Sequence, residues 1–367
     1  MENYLLTTEY RASAGPGLPS AAAWTLSKAR RWSIVSLLFA SALLNYLDRA
    51  TIAVALPVIS AELALGPTAK GLLLSAFFWP YSTMQVPVGW IVDRSRLRWF
   101  YAAMFALWSI SCGLAGFAGS LATLIALRIA LGMGESIFLP AATKIVSSLF
   151  VPKDRGLPSG IFISGTRAGL ALGAPLIAWF VVQFDWRKMF VIIGFTALFW
   201  LIPWLLIFPR ELPNGSRKPR HSTLERAPLA SRAWRFNRDL LGLCAGMFCL
   251  NYYFYPLITW LPEYFVEVRK LTVFQAGLYA SLSYAIFGLS EPMGGWVADR
   301  LISIGWNEMR VRKGVITAGF LAGVLLIPAL LASRWPIALA FLAGASLVGL
   351  CTGNLWGSSN LVPLQSK

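Results

Sequence analysis

The sequence has few charged residues, one histidine and four cysteines, and each scarcity excludes a class of protein. Charged side chains make up 13% of the 367 residues, about half the share found in soluble domains. This composition excludes a soluble enzyme, and the high apolar content excludes a disordered chain. The cysteines lie in apolar segments without C-x-x-C spacing, so a secreted disulfide scaffold and a zinc framework are excluded as well.

Several patterns typical of enzymes are also missing. The chain contains no H-E-x-x-H, no D-D-x-x-D and no P-loop, which are the patterns that bind catalytic metals or nucleotide phosphates. The sequence therefore predicts no enzymatic activity, no metal site and no cofactor.

The sequence instead contains long runs of apolar residues. Hydrophobic residues make up 57% of the chain, and an α-helix needs about 20 of them in succession to cross a bilayer. Apolar runs bounded by charges, glycine or proline cover residues 33–57, 69–91, 98–119, 121–149, 157–182, 187–208, 240–265, 273–297, 312–333 and 335–361. The sequence therefore predicts an all-α integral membrane protein with about ten transmembrane helices.

The basic residues are placed unevenly along the chain, whose formal net charge is +16. Most of them lie in the N-terminal segment and in every second connection after it, with the largest cluster between 209 and 238. The positive-inside rule places these segments and the N-terminus in the cytoplasm. This bias accounts for the charge without nucleic acid as a partner. No cleavable signal peptide is expected, and a bacterial inner membrane is the expected location.

The same patterns divide the chain into four segments. A cytoplasmic N-terminal segment covers 1–32, and an N-terminal half with six helices covers 33–208. A basic cytoplasmic linker with three prolines follows at 209–238, and an incomplete C-terminal half of about four helices covers 239–367.

An internal repeat relates the two halves. The hexapeptide G-W-I-V-D-R at 89–94 recurs as G-W-V-A-D-R at 295–300, and the pair Asn45-Tyr46 recurs as Asn251-Tyr252 at the same offset. Two matches in one register indicate duplicated halves, an architecture typical of many transporters. We expect each hexapeptide to form a tight cytoplasmic turn in which glycine permits close backbone approach. The residues expected to define these turns are Gly89, Asp93, Arg94, Gly295, Asp299 and Arg300.

Several motifs carry a family resemblance. The repeated hexapeptide resembles the signature loop of the major facilitator superfamily. More narrowly, N-Y-L-D-R at 45–49, R-I-A-L-G-M-G-E at 128–135 and T-W-L-P-E-Y at 259–264 are similar to the anion:cation symporter family. That family includes bacterial sugar-acid/proton symporters. The resemblance implies a helical bundle of two repeat-related halves, and the family pattern has twelve helices, so two C-terminal helices are expected to be missing here.

Few ionisable residues lie within the apolar runs, and the cost of burying each one marks it as a functional candidate. Asp48 and Arg49 lie in the middle of the first run, while Arg128 and Glu135 are about two helical turns apart in the fourth. Such spacing places both on one helix face. A guanidinium offers fixed donors to a carboxylate ligand, and a carboxylate can carry a proton. An alternative is that these charges only hold helices together.

The resemblance assigns more specific roles. Asp48 and Glu135 match the proton-coupling carboxylates of the family, Arg49 and Arg128 match arginines tied to substrate, and Tyr81 matches a substrate-contacting tyrosine. Further polar residues on apolar runs are expected to complete a polyol site: Gln85, Tyr252, Tyr253, Asn354 and Ser358. In the family, helices 5 and 8 are neighbours across the halves, so Arg167 and Glu291 are expected to form a gate at the cytoplasmic side, paired when the opposite side is open.

Taken together, the sequence predicts a secondary active transporter that moves a small organic anion with protons, such as a hexonate, a hexuronate or an aldarate. Its partners are then the anion, protons and membrane lipids, and it is expected to act as a monomer. Two alternatives stay open: an exporter of amphipathic compounds, against which the paired arginines argue, and a truncated sensor that transports nothing.

Overall fold

The computed structural model describes residues 26–150, 154–212 and 238–359. Within these ranges the chain is helical throughout and contains no strand. The helices of the N-terminal half are α1 (Lys28–Glu62), α2 (Pro67–Ser75), α3 (Phe78–Arg94), α4 (Leu97–Ala115), α5 (Leu121–Glu135), α6 (Phe138–Leu149), α7 (Gly156–Phe184), α8 (Trp186–Ala197) and α9 (Leu201–Ile207).

The remaining helices form the C-terminal half. They are α10 (Arg238–Glu267), α11 (Val273–Ser303), α12 (Glu308–Gly323), α13 (Leu326–Leu331), α14 (Trp335–Ala345) and α15 (Leu350–Ser359). Most of the 209–238 linker and residues 1–25 of the predicted N-terminal segment lie outside the described residues. The division into four segments therefore stays a prediction.

Short polar residues begin several of these helices. The Ser27 hydroxyl accepts a hydrogen bond from the Arg30 backbone N–H at 3.2 Å, and Thr272 forms a capping box with Gln275 at the start of α11. Such caps satisfy N–H groups that the first helical turn leaves without partners. They fix where these helices begin, close to the starts of the apolar runs at 33–57 and 273–297.

Nine helical segments in the described part of the chain are long and apolar enough to cross a membrane. The predicted run at 69–91 is not among them and forms two helices, α2 and α3, with nine and 17 residues. The break falls at Ala76 and Phe77, and Pro80 follows it, with no N–H to donate to the carbonyl of Ala76. The membrane-protein fold is thus confirmed, and the run at 69–91, like those at 121–149 and 187–208, is made of two shorter helices.

The long helix α1 packs along α7 through glycine positions. A Cβ atom at Gly165 would lie 2.5 Å from the carbonyl oxygen of Phe39, and one at Gly169 would lie 2.4 Å from that of Leu43. Close packing of this kind is how small residues join helices in membranes. At Gly173 the same atom would be 3.4 Å away from Leu47, so the seam widens toward the end of α7.

The two halves meet mainly through α7 with α11 and α1 with α10. We name the two ends of the bundle by their charges. The basic end carries Arg94, Arg155, Arg300, Arg310 and Arg312, which lie in or beside the connections there, and the Lys70 end lies opposite, where α1 ends and α2 begins. Near the Lys70 end a Cβ atom at Gly277 would lie 2.6 Å from Cβ of Ala178, so the halves are in tight contact there.

The glycine seam gives a direct test of the packing. Gly165→Ala forces α1 and α7 apart and is expected to destabilise the protein by about 1–3 kcal/mol, as overpacking does. Gly160→Ala, on the same helix with no atom within 4 Å of the new Cβ, is the matched control. Thermal unfolding in detergent measures both, and an equal midpoint for the two variants would contradict this account of the seam.

Candidate functional site

Four charged side chains predicted from the sequence are buried together in the N-terminal half. Asp48 and Glu135 are 0% exposed, and Arg49 and Arg128 are each 6% exposed. Nε of Arg49 donates to Oε2 of Glu135 at 2.9 Å, which joins α1 to α5. A charge-assisted pair in a water-poor site is strong, and its members would be costly to bury separately.

The other two members of this cluster lack an ion-pair partner. Among the described residues, neither Asp48 nor Arg128 has an oppositely charged group within 4.0 Å. Oδ1 of Asp48 accepts from Sγ of Cys112 on α4 at 3.5 Å, while its Oδ2 has no partner. Of the two carboxylates, only Glu135 has an arginine within ion-pair distance in this structure. Neighbours along a helix point about 100° apart, so Asp48 and Arg49 face different helices.

Aromatic rings enclose the guanidinium of Arg49. Its Cζ lies 4.6 Å from the ring centre of Tyr46, 4.8 Å from that of Phe77 and 4.5 Å from that of Tyr81. Ring faces attract a cation, more strongly where water is excluded. Glu135 and these rings hold Arg49 in place, yet its Nη1 and Oε1 of Glu135 have no hydrogen-bond partner. A donor and an acceptor therefore remain for a ligand.

A small cavity separates the halves at this point. It is lined by Arg49, Ile52, Leu74, Phe77, Phe78, Arg128, Leu170, Ile258 and Thr259. Its volume of about 10 Å³ is roughly that of one water probe. Both arginines thus reach the boundary between the halves, and a larger ligand enters only when the halves move apart.

A second ion pair crosses between the halves, at the positions predicted for a gate. Arg167 on α7 donates to Glu291 on α11 through both Nε, at 2.7 Å, and Nη2. The guanidinium also lies 4.9 Å from the ring centre of Phe254 and 5.1 Å from that of Phe287. The bidentate geometry and these rings fix Arg167 against the C-terminal half.

The Lys70 end carries a contact that was not predicted from the sequence. Nζ of Lys70 donates to Glu263 and, at 2.8 Å, to Oε1 of Glu267, both on α10. The Lys70 side chain is 12% exposed and that of Glu263 is 6% exposed. Lys70 was not among the residues that the sequence singled out. The signal that pointed here was the T-W-L-P-E-Y motif, which contains Glu263.

Two contacts between the halves are formed at the same time: the Arg167–Glu291 pair and the contact of Lys70 with α10. This differs from the expected gate. Arg167 and Glu291 were expected to pair when the Lys70 end is open, but here that end is closed as well. At the basic end of the described bundle, Cβ atoms at Gly160 and Gly295 would have no neighbour within 4 Å, and Trp296 is 68% exposed. The halves therefore meet at the Lys70 end and the centre and diverge toward the basic end.

Only some of the residues predicted from the second and seventh runs lie near Arg49. Tyr81 lies against Arg49, and Gln85 follows one turn later, half-buried. Tyr252 is 71% exposed and stacks on Phe248, because little packs against that part of α10. Tyr253 donates to the Ala345 carbonyl at 3.1 Å. The structure brings neither of these two tyrosines to Arg49.

A different tyrosine of α10 faces the site. The ring centre of Tyr255 is 4.8 Å from that of Phe78, beside the cavity. Residues two apart on a helix point about 200° apart, so Tyr253 and Tyr255 face opposite sides. Tyr255 could have been predicted from the sequence only by knowing which side of α10 faces the N-terminal half.

The tenth run also uses its polar residues for packing. Nδ2 of Asn354 donates to the Gly294 carbonyl at 3.0 Å, which joins α15 to α11. The side chain of Ser358 lies outside the described residues. A role for either residue in binding stays a prediction.

The repeated hexapeptides do not form the expected turns: residues 89–94 are the end of α3, and residues 295–300 lie within α11. A Cβ atom added at Gly89 or Gly295 would have no neighbour within 4 Å, so close backbone approach is not the use of these glycines in this structure. Asp93 instead lies 3.6 Å from Nζ of Lys144, and the Arg94 guanidinium lies 4.3 Å from the Trp90 ring centre. Their partners in the second copy, Asp299 and Arg300, are exposed near the end of α11.

The central pair can be tested by a double-mutant cycle. Arg167→Gln and Glu291→Gln each leave a half-buried charge alone, so the two changes should couple in unfolding free energy by about 1–3 kcal/mol. Lys144→Gln with Asp93→Asn is the control cycle, because Asp93 is 71% exposed and such surface pairs contribute about 0–1 kcal/mol. Equal coupling in the two cycles would show that Arg167 and Glu291 do not act as a unit.

Comparisons with known proteins agree with this architecture. The family model described as Major Facilitator Superfamily matches residues 38–363. The "D-galactonate transporter" of Escherichia coli O6:H1 is 28% identical over 319 residues, covering 82% of this chain and 74% of that protein. The "Probable galactarate/D-glucarate transporter GudP" of Bacillus subtilis is 29% identical over 323 residues, covering 81% of this chain and 71% of that protein.

A solved structure supports the fold independently. The bacterial homolog of the human lysosomal transporter Spinster, in its inward-facing and unoccupied conformation, superposes with a TM-score of 0.76 at 21% identity. The match covers 91% of this chain and 76% of that one. At this identity the likeness concerns the arrangement of helices alone.

Proposed function

Because the chain belongs to the Major Facilitator Superfamily, and is therefore a secondary membrane transporter and not an enzyme, we propose that it carries a sugar acid together with protons. The anion would be a hexonate, a hexuronate or an aldarate. We further propose that the basic end faces the cytoplasm of a bacterium, that the protein lies in the inner membrane, and that one chain suffices for transport.

One observation carries this proposal: Arg128 is buried without an ion-pair partner among the described residues, beside Arg49 at the boundary between the halves. An uncompensated cation at this depth is costly. An anionic ligand that enters between the halves would supply the missing charge. Arginine forks suit a carboxylate in particular, because they donate two parallel hydrogen bonds to it.

The surroundings of the two arginines suit the rest of a sugar acid. Tyr81 lies against Arg49, and Tyr255 and Thr259 line or border the same cavity. Their hydroxyl groups are donors and acceptors for a polyol chain. The named relative that carries D-galactonate supports this substrate class. The roles predicted for Gln85 and for the polar residues of α10 and α15 require a rearrangement when the halves move.

Coupling to protons is proposed through Glu135. Among the described residues, Glu135 is the only acidic side chain that forms an ion pair with Arg49. An arriving anion would compete for the same guanidinium, and Glu135 would then be more stable with a proton. Proton and anion would thus strengthen each other's binding, as linkage requires. The two halves, 33–208 and 239–367, would rock about this site while the 209–238 linker joins them.

Uptake into proteoliposomes tests the proposal. The purified chain is supplied with labelled D-galactonate, galactarate and glucuronate, with galactose as the neutral control, under an inward proton gradient, an inward sodium gradient or none. We expect accumulation of at least one acid under the proton gradient only. Accumulation under sodium alone would refute proton coupling, and efflux of amphipathic compounds without movement of any acid would favour an exporter.

Two substitutions separate binding from coupling. Glu135→Gln should still exchange labelled for unlabelled substrate but lose accumulation driven by the proton gradient, because the amide carries no proton. Arg49→Lys should weaken binding by about 1.5–3 kcal/mol, since an ammonium lacks the planar fork. Glu308→Gln and Arg310→Lys, near the basic end, are the matched controls. Full accumulation by Glu135→Gln would show that Glu135 has a structural role only.

A further inference from the structure

Asp48 and Arg49 are adjacent in sequence but belong to different surroundings. Arg49 lines the cavity between the halves, whereas Asp48 is not among the residues that line it. Asp48 is 0% exposed, and its Oδ1 accepts from the thiol of Cys112 inside the N-terminal half. Its carboxyl group thus faces α4, away from the boundary where a substrate would bind.

A second small cavity lies beside this thiol. It is formed by residues of the N-terminal half alone: Ile52, Ser111, Cys112, Ala115, Leu124, Leu127, Arg128, Leu131 and Phe190. Its volume is about 10 Å³, which is near the minimum for one water molecule. Arg128 lines both cavities, so its side chain forms the wall between the substrate boundary and the Cys112 cavity.

Two polar atoms near the Cys112 thiol lack hydrogen-bond partners among the described residues; one belongs to Arg128, which lines this cavity, and the other to Asp48, which is bonded to the thiol but does not line the cavity. Nε of Arg128 and Oδ2 of Asp48 are buried with no hydrogen bond, and both belong to side chains that are at least nine-tenths buried. Buried polar groups are seldom left in this state, and an ordered water is the usual remedy. The cavity, the thiol and the two free polar atoms therefore fit a water site next to Asp48.

We propose that Cys112 is a positioning residue for proton binding at Asp48, and that Asp48 exchanges its proton with water held between Cys112 and Arg128 inside the N-terminal half. This inference rests on the proton coupling proposed above. When Asp48 is ionised, the Cys112 S–H donates to its Oδ1. When a proton arrives through this water, the Asp48 carboxylate takes it up and becomes neutral, the water molecule is left as it was, and the thiol keeps its own hydrogen throughout.

This arrangement gives the two carboxylates separate tasks. The other charged or titratable groups facing Asp48 are Glu135 and Arg128 on α5, and no other helix packed on α1 turns a charged side chain of the described residues toward it. In this proposal the protonation of Glu135 depends on the substrate through Arg49, and the protonation of Asp48 depends on pH and is adjusted by Cys112. A thiol is a weak donor, so its loss should tune proton binding without abolishing it.

The test compares pH profiles of proton-driven uptake for full-length variants in proteoliposomes. Cys112→Ala removes the donor, so the ionised form of Asp48 loses support and the midpoint of uptake should move to higher pH by about 0.5–1 unit. Cys112→Ser restores a donor and should keep a midpoint close to that of the parent. Cys351→Ala, at a buried cysteine of the C-terminal half, is the matched control.

The outcomes separate this inference from the proposed function. If the parent accumulates substrate but Cys112→Ala keeps the parent's midpoint, the inference is overturned and the symporter stands. If the parent exchanges substrate without responding to a proton gradient, the proposed coupling falls and the inference falls with it. A shift of equal size in Cys112→Ala and Cys351→Ala would also overturn it, because packing would explain both.

A spectroscopic measurement covers the case in which Cys112→Ala does not fold. Infrared difference spectra of the parent between acidic and alkaline pH should show a shift of an S–H stretching band. Asp48→Asn should abolish that shift, while Glu135→Gln should retain it. An S–H band that is insensitive to pH in the parent, or one that still shifts in Asp48→Asn, would overturn the inference.

Discussion

The ion pair between Arg49 and Glu135 is the contact on which the rest of the site depends. It joins α1, the helix that packs along α7, to α5, which carries Arg128 as well. Neither charge would be tolerable alone at this depth. Because the pair satisfies only part of each group, Nη1 of Arg49 and Oε1 of Glu135 stay available. The pair therefore fixes the two side chains and still leaves one hydrogen-bond donor and one acceptor for a ligand.

The charged side chains of the cluster point to two different places. Arg49 and Arg128 reach the boundary between the halves, whereas the carboxyl group of Asp48 points to α4. A symporter has to bind its two cargoes in one chain without letting either leak. In the proposed symporter, the side chain of Arg128 would separate the anion site from the proton site.

Much of this was visible in the sequence, because apolar length and buried charge leave strong signals. The helical membrane fold, the positions of nearly all crossings and the burial of Asp48, Arg49, Arg128 and Glu135 follow from runs and isolated charges alone. What the sequence did not reveal depends on direction in space. Cys112 was one of four cysteines in apolar segments, Lys70 was not singled out, and Tyr253 was predicted for the site that Tyr255 faces. Each assignment turns on which neighbour a helix face meets, and periodicity does not specify that neighbour.

The break between α2 and α3 has a mechanical consequence. Lys70 near the start of α2 holds α10, and Phe77 just past its end lies over Arg49. The Phe77 carbonyl rests against α5, where a Cβ atom at Gly132 would be only 2.3 Å away. With nine residues, α2 is about 14 Å long. This one short helix therefore connects the contact that closes the Lys70 end to the ring that covers the buried Arg49, and the close approach of Phe77 to Gly132 fixes its inner end against α5.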